Sequence, residues 1–355
     1  MSLSNLPFSH CDLFCRVIDH WGDAGVCWRL TAQLVQDYGV AVRLFIDEIA
    51  PLRVIAGDRL EFDGDRAVGR GNLPVRVLPW DEAHGLPASN QAPLVIEAFA
   101  CHLPASYVET MATQAAHGCK ALWINLEYLS AEPWVDEVHG LPSPHPRLPL
   151  IKYFFVPGFS ARSGGLLRER NFVAPPPRAV SRPIQLFAFT YATAPVARLA
   201  EALAAQTSLA APVEEPPARS RSFEPVPQSA FDAVLAAHDV LLVRGEDSFV
   251  RAQYAGRPLL WDIYPTTDGA HRAKLKAWLD RYCQGLDAET DAIYRRVSVA
   301  FVERSLTLED ARAFASALPA LAAHARTWQQ YLLGQTDLLG RLLSFARTQQ
   351  RIGSD

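Results

Sequence analysis

Two aspartates four residues apart, Asp19 and Asp23, lie in the stretch RVIDHWGDAGVCWRL. An apolar run precedes them and an amphipathic run follows, which places both carboxylates between a predicted strand and a predicted helix. In α/β proteins that position usually faces a ligand, and paired carboxylates there can hold a cationic group or accept a proton. The structural alternative is that Asp23 caps a helix starting near Gly25 while Asp19 only forms the turn.

A second stretch whose residues could take part in chemistry is RGEDSFVRAQYAGRPLLWDIYP, which starts at Arg244. A buried strand is expected to end just before it, Gly245 allows the chain to turn, and Glu246, Asp247 and Ser248 begin a helix. The free N–H groups and partial positive charge of a helix N-terminus suit a phosphate or diphosphate. The alternative is that Asp247 or Ser248 merely caps this helix.

Composition limits the class of protein. The chain has 355 residues, 49% of them hydrophobic and 20% charged, with a net charge of −4. Two globular domains are expected at this length, and a weakly acidic chain lacks the basic surface that nucleic acids require. We expect a cytoplasmic protein with no membrane partner, because neither a secretory signal nor a run of about 20 apolar residues is evident. The six cysteines contain no CxxC pair and suggest buried, reduced thiols.

Several familiar sites are not indicated. Gly64, Gly69 and Gly71 lie in EFDGDRAVGRGN, which we interpret as a charged loop without a following helix, so a dinucleotide fingerprint is not supported. The chain has no P-loop pattern and no metal-ligand spacing of His, Asp and Glu. His139 and His145 flank the proline-rich HGLPSPHP, where a structural loop is the expected role.

The chain alternates predicted strands and helices, which is typical of parallel sheets with helical crossovers. Strands are predicted at 12–18, 42–46, 94–99, 121–126, 184–189, 240–243 and 259–263. Helices are predicted up to Tyr38, at 105–116, 196–205, 231–237 and 246–255, and from 306 onward, with a weakly structured, proline-rich run at 211–226. The proline-rich segment 174–183 predicts a linker between an N-terminal domain, 1–173, and a C-terminal domain, 184–355, whose last helix could pack back on the first domain. Ligands are expected in a cleft between the facing sheet edges.

Five blocks of this chain resemble one known family. They are DLFCRVIDHWGDAGVCWRL from Asp12, LVIEAFACHLP from Leu94, WINLEYLSAEPWVDEVHGLPSPHPRLPLIKYFFVPGF from Trp123, LFAF from Leu186 and RGEDSFVRAQYAGRPLLWDIYP from Arg244. Together they extend from residue 12 to about residue 340 and are similar to the EarP-type protein-arginine rhamnosyltransferases. The resemblance implies the GT-B architecture, two Rossmann-like domains of which the first takes the protein acceptor and the second the nucleotide-sugar.

The resemblance also implies a reaction: transfer of rhamnose from dTDP-β-L-rhamnose to one arginine of elongation factor P, with inversion and without a metal or other cofactor. Asp19 and Asp23 match the family's aspartates near the acceptor, and Asp19 is our choice as general base. Arginine resists acting as a nucleophile because its charge is delocalised, and a carboxylate pair can hold the guanidinium and take its proton. Glu246 matches an acidic residue thought necessary for activity.

The donor site is implied residue by residue in the same way. Asp247 and Ser248 match positions at the diphosphate, and Arg244 precedes them in the motif. The positions matching contacts to the thymine are Phe187 and Phe231, as a stacking pair, and Gln228, at the base edge. Phe189 stands where many relatives carry tyrosine and therefore lacks a hydroxyl, and Tyr254 stands where tryptophan is frequent.

Two other functions remain open from the sequence. A GT-B glycosyltransferase with another nucleotide-sugar or a small-molecule acceptor would share most of these features. A non-catalytic two-domain protein that closes around a ligand would also have two α/β domains, but it would not need acidic residues in both.

Overall fold

The computed structural model describes residues 8–209, 220–222 and 226–352, and the chain divides into two compact units. Unit 1 comprises the residues up to Phe172 together with those from Thr336 onward, and unit 2 comprises Val173–Gln335. The predicted first domain ended one residue later, at 173. The last helix groups with unit 1, an arrangement that the predicted division allowed for.

Unit 1 is built on a nine-stranded sheet with the order β3-β4-β5-β2-β1-β6-β7-β9-β8. Its strands are β1 (His10–Cys15), β2 (Ala41–Ile46), β3 (Leu60–Asp63), β4 (Arg66–Gly69), β5 (Val75–Pro79), β6 (Leu94–Ala98), β7 (Leu122–Leu126), β8 (Pro142–Pro144) and β9 (Ile151–Phe155). The six strands from β5 to β9 in this order pair in parallel, and β3, β4 and β8 add antiparallel edges. The central strands are apolar and buried along nearly their whole length, as expected when helices cover both faces.

The helices of unit 1 that precede residue 172 are α1 (Gly22–Tyr38), α2 (Leu52–Ile55), α3 (Ala105–Ala116) and α4 (Val135–Val138), with short 3-10 helices at Gly57–Arg59, Trp80–Gly85 and Ala88–Asn90. α1 packs Cys27, Leu30 and Leu34 onto one face of the sheet. α3 packs Tyr107 and Met111 into the core on the other face. The predicted stop of α1 is confirmed, since Gly39 adopts a left-handed φ of 68° and its N–H closes the helix.

Unit 2 has a five-stranded parallel sheet with the order β12-β11-β10-β13-β14. The strands are β10 (Gln185–Phe189), β11 (Gln206–Leu209), β12 (Ser220–Ser222), β13 (Val240–Arg244) and β14 (Leu259–Asp262). The helices are α5 (Val196–Ala202), α6 (Gln228–Ala236), α7 (Glu246–Ala255), α8 (Ala270–Tyr282), α9 (Ala288–Val302) and α10 (Leu308–Leu333), and α11 (Leu338–Ile352) returns to unit 1. No described helix is both long and apolar enough to cross a membrane.

Three sequence interpretations need correction. The predicted strand 12–18 ends at Cys15, and the next helix begins at Gly22 and not near Gly25. The segment EFDGDRAVGRGN is not a loop, because most of it forms the β3–β4 hairpin, with Gly64 in the turn at φ 59°. Of the run 211–226, residues 211–219 and 223–225 lie outside the described residues, and Ser220–Ser222 form β12.

Candidate active site

The turn after β1 is held together by Asp23. Its Oδ2 atom accepts the backbone N–H groups of Ile18 at 2.8 Å and Asp19 at 2.9 Å. The Asp23 N–H in turn donates to the Asp19 carbonyl at 3.0 Å. Asp23 is only 2% exposed and lies in the first turn of α1, after the N-cap residue Trp21. Its carboxylate therefore fastens the preceding turn and does not cap the helix.

Asp19 is packed against the start of α1. It is 8% exposed, and a Cβ atom built on Gly22 would lie 2.6 Å from Asp19 Oδ2. A carbon and a non-bonded oxygen at that distance would clash, so only glycine at position 22 leaves this carboxylate where it is. The glycine in the sequence pattern HWGD is the signal for this packing, and the sequence analysis did not use it.

Acidic residues after the neighbouring strand β2 also secure the turn. Asp47 Oδ1 accepts the Val17 N–H at 2.9 Å, and Glu48 lies 2.8 Å from His20. β2 pairs with β1 in parallel, so the loops that follow these two strands lie side by side at the carboxyl ends of the strands. The turn that carries Asp19 and Asp23 is thus held at the carboxyl end of β1 by contacts from α1 and from the loop after β2.

In unit 2 the predicted donor residues Phe189 and Arg244 lie at the carboxyl ends of two adjacent strands, β10 and β13, and Asp262 ends the next strand, β14. The guanidinium carbon of Arg244 lies 3.8 Å from the centre of the Tyr191 ring and 5.8 Å from that of Phe189. These are cation–π distances, so aromatic rings fix the orientation of Arg244.

Asp262 and Arg304 anchor the loop that carries Tyr191. Asp262 is fully buried and accepts the Tyr191 N–H at 2.9 Å and Arg304 Nη1 at 2.6 Å. Burial raises the pKa of Asp262 above its ordinary value, although Arg304 acts in the opposite direction. Arg304 adopts a left-handed φ of 61° and also donates from Nε to Thr193. Neither Asp262 nor Arg304 was identified from the sequence.

The start of α7 has the form expected of an anion site. Its N-cap is Gly245, which has a φ of 66° and offers no side chain to the first N–H groups of the helix. The Gly245 carbonyl accepts the indole N–H of Trp261 at 3.1 Å, and the Trp261 ring stacks on Phe249 at 3.9 Å. Asp247 and Ser248 are helical residues and not the cap. Asp247 Oδ2 accepts the amide of buried Gln228 at 2.9 Å.

Glu246, the first residue of α7, forms an ion pair with Lys274 of α8. The Nζ–Oε1 distance is 3.0 Å. The lysine side chain is 22% exposed and the glutamate side chain is 15% exposed. The lysine lies 28 residues further along the chain, in a different helix. No local pattern pointed to it.

The predicted thymine-stacking residues lie together. Phe187 is fully buried, and its ring meets that of Phe231 edge to face, with centroids 5.9 Å apart. Phe189 also meets Phe231, at 6.4 Å, and Phe187 contacts His238 at 5.3 Å. Because the Phe187 and Phe231 rings touch, a base can lie between them only if Phe231 turns aside.

The segment HGLPSPHP was predicted as a structural loop, but its residues Pro142–Pro144 form the edge strand β8. Its two histidines bind backbone groups, which agrees with a structural role. His139 Nδ1 accepts the Val156 N–H at 3.1 Å, and His145 Nδ1 accepts the N–H groups of Arg147 and Leu148. Burial lowers the pKa of His139 to about 4, and the charge of Arg341 acts in the same direction.

The block LVIEAFACHLP forms β6 and then a strained loop, which lies beside a cavity of ≈ 580 Å³ in unit 1. Phe99, Ala100 and His102 all have left-handed φ values between 50° and 58°. Buried Glu97 accepts the His102 N–H, the Trp123 indole N–H and the ammonium of Lys152, at 3.1 to 3.2 Å. Its carboxylate thus fixes this loop.

Within the part of the chain that the structure describes, no three His, Cys, Asp or Glu side chains are grouped as a metal site would require.

The chain is similar to known proteins over nearly its whole length. A family model described as elongation factor P (EF-P) rhamnosyltransferase EarP matches residues 11–189 and 192–347. A protein-arginine rhamnosyltransferase of Pseudomonas putida is 36% identical over 382 residues, which cover 95% of this chain and 98% of that protein. One from a Neisseria meningitidis serogroup B strain is 30% identical over 98% of this chain and all of its own length.

Solved structures agree with the sequence comparisons. A structure described as the basis for EarP-mediated arginine glycosylation of translation elongation factor EF-P has a TM-score of 0.60 and 26% identity, covering 96% of this chain and 99% of its own. The spinosyn rhamnosyltransferase SpnG, complexed with thymidine diphosphate, has a TM-score of 0.50 at 13% identity over 96% of this chain and all of its own, which shows a shared fold. The predicted α/β fold class, that of GT-B glycosyltransferases, is confirmed. The chain belongs to the EarP family of EF-P rhamnosyltransferases.

Proposed function

We propose that this protein transfers rhamnose from dTDP-β-L-rhamnose to an arginine side chain of elongation factor P, with inversion at the anomeric carbon. Unit 1 would take the protein acceptor and unit 2 the nucleotide-sugar. Because the acceptor is a translation factor, the reaction would take place in the cytoplasm. The observation that carries the proposal is the fixed Asp19 carboxylate: Asp23 holds its backbone and Gly22 leaves room for its side chain.

Arginine needs help to become a nucleophile. Its pKa is about 12.5–13.8, and its nitrogen lone pairs are delocalised over the planar guanidinium. A carboxylate such as Asp19 can accept an N–H hydrogen bond from the guanidinium and localise electron density on the reacting nitrogen. Asp23 would support this role from the turn, since its Oδ2 atom already accepts two backbone N–H groups.

The proposed step is a single displacement. An arginine nitrogen forms a bond to the anomeric carbon as the bond from that carbon to the β-phosphate oxygen breaks. The electron pair of the broken bond stays on the departing dTDP. The nitrogen becomes acidic as it gives up electron density, and its proton passes to Asp19. Attack from the face opposite the leaving group turns the β-linked donor into an α-rhamnosyl arginine.

The start of α7 is suited to the departing diphosphate. The first N–H groups and the partial positive charge of this ten-residue helix can stabilise negative charge as it develops. Ser248 adds a hydroxyl, and Arg244 adds a cation at the end of the adjacent strand. Glu246 would stabilise the positive charge on the sugar, or orient a sugar hydroxyl or the guanidinium. The proposed mechanism uses no metal ion and no other cofactor.

The thymine would be bound by aromatic contact. Phe231 is half-buried and lies between Phe189 and Phe187, so a turn of its ring would open a flat apolar surface. Gln228 would contact the base edge, for which its amide would have to exchange its hydrogen bond to Asp247.

Intact-mass analysis tests the proposal. Elongation factor P incubated with the protein and dTDP-rhamnose should gain one deoxyhexose on an arginine, and NMR of the modified peptide should show the α-anomer. No mass gain under conditions in which dTDP-rhamnose demonstrably binds would overturn the proposed function. A β-anomer would overturn the inverting mechanism alone.

A further inference from the structure

Lys274 differs from the other lysine of α8, Lys276, in what it contacts. Lys276 is 76% exposed and pairs with Asp280 one turn along the same helix. Lys274 is 22% exposed and reaches across to Glu246, the first residue of α7, at 3.0 Å. Its ammonium group is therefore held at the end of α7 that we assign to the diphosphate.

That end of α7 carries two acidic side chains. Glu246 and Asp247 both lie in the first turn. Asp247 is hydrogen-bonded to the neutral amide of Gln228, which does not reduce its charge. Two carboxylates beside a diphosphate would repel it, and the repulsion is strong where the groups are partly buried. Cations must offset this repulsion: Arg244 lies at the end of the preceding strand, and Lys274 contacts one of the two carboxylates.

We propose that Lys274 binds the diphosphate of the nucleotide-sugar and stays with the departing nucleoside diphosphate; this inference rests on the proposed function. A lysine ammonium carries three donors on a flexible stem, so it can turn toward a phosphate oxygen without leaving the glutamate. When the sugar–oxygen bond breaks, its electron pair adds one negative charge to the diphosphate. Lys274 therefore stabilises the transition state more than the bound donor.

The test compares nucleotide binding in matched variants. Calorimetry with dTDP and dTMP should be run on the wild type, Lys274→Met, Lys276→Met and Glu246→Gln. We expect Lys274→Met to weaken dTDP binding by about tenfold or more, as expected for loss of a charged hydrogen bond, with a clearly smaller effect on dTMP. Lys276→Met should bind both nucleotides as the wild type does. Glu246→Gln should bind dTDP at least as tightly as the wild type, because it removes a negative charge.

Each other outcome is informative. Equal dTDP affinity in Lys274→Met and the wild type would overturn the inference and leave Lys274 as a residue that only positions Glu246. Equal losses in Lys274→Met and Glu246→Gln would also overturn it, since the lysine would then act through the glutamate. If the methionine variant does not fold, Lys274→Gln replaces it in the same comparison. A wild type that binds no dTDP would instead contradict the proposed function, and this inference with it.

Discussion

The Asp19 carboxylate occupies the space that a side chain at Gly22 would fill. A Cβ atom at Gly22 would lie 2.6 Å from Asp19 Oδ2 and 3.1 Å from its carboxyl carbon. The glycine is therefore required for space and not for its backbone angles, and the position of the proposed general base depends on it.

Gly22→Ala should displace Asp19 and reduce arginine rhamnosylation by about 100-fold, the scale expected when a reacting group moves by about 1 Å. Binding of dTDP should not change, because the donor residues belong to unit 2. Gly85→Ala is the matched control, since a Cβ atom there meets nothing within 4 Å. Wild-type turnover by Gly22→Ala would show that the position of Asp19 does not limit the reaction.

Asp23 should behave as a residue that holds the turn. Asp23→Ala leaves the buried N–H of Asp19 and the part-buried N–H of Ile18 without their acceptor. The buried group alone costs about 1–3 kcal/mol, so the variant should lower both the melting temperature and transfer. Asp23→Asn keeps an oxygen acceptor and should recover much of the stability. Thermal denaturation and transfer rates measured together check this. If Asp23→Ala melts like the wild type but is inactive, Asp23 has a chemical and not a structural role.

The lowered pKa of His139 predicts how the stability of unit 1 depends on pH. Its pKa is lowered from 6.5 to about 4 in the folded protein, so the unfolded chain binds the proton more readily between these values. Stability should therefore fall as the pH drops from about 6.5 toward 4. His139→Asn retains an acceptor for the Val156 N–H and should reduce this slope, whereas His117→Asn, at an exposed position on the surface of unit 1, should not. Melting temperatures measured across this range check the prediction, and equal slopes in all three proteins would contradict it.

Arg304 should matter to the donor site although no donor contact is assigned to it. Arg304→Met leaves the buried Asp262 carboxylate without its cation, which should cost about 3–5 kcal/mol. The Tyr191 loop should then shift beneath Arg244 and weaken dTDP binding. Chemical denaturation and calorimetry measure the two effects. Arg296→Met, which removes an exposed ion pair of α9, should cost no more than about 1 kcal/mol. A similar small cost for Arg304→Met would contradict this account of Asp262.

Much of the fold could be predicted from local pattern. The alternation of apolar strands and amphipathic helices predicted parallel sheets, and α3 and α7 have the predicted bounds. The rule that ligand residues follow the carboxyl ends of strands pointed to the turn of Asp19 and Asp23 and to the helix start at Glu246, whereas the roles of Arg244 and Glu246 came from the resemblance. The strands, the helices and the turns between them depend on residues that are neighbours in the sequence, so the sequence was sufficient to predict them.

The remaining features depend on contacts between distant residues. β1 ends three residues earlier than predicted because Asp23, in the following helix, takes the N–H groups of Ile18 and Asp19. The partners Lys274 and Arg304 reach their carboxylates across 28 and 42 residues of chain. Local sequence patterns contain no record of such pairs, so these contacts could not be predicted.

The most direct test compares wild type and Asp19→Asn for transfer to elongation factor P, with dTDP-rhamnose binding measured in the same preparations. We expect the wild type to add one deoxyhexose to an arginine, located by tandem mass spectrometry. Asp19→Asn should bind the donor with unchanged affinity but transfer at least about 100-fold more slowly. Transfer by Asp19→Asn at the wild-type rate would contradict the assignment of Asp19 as the base.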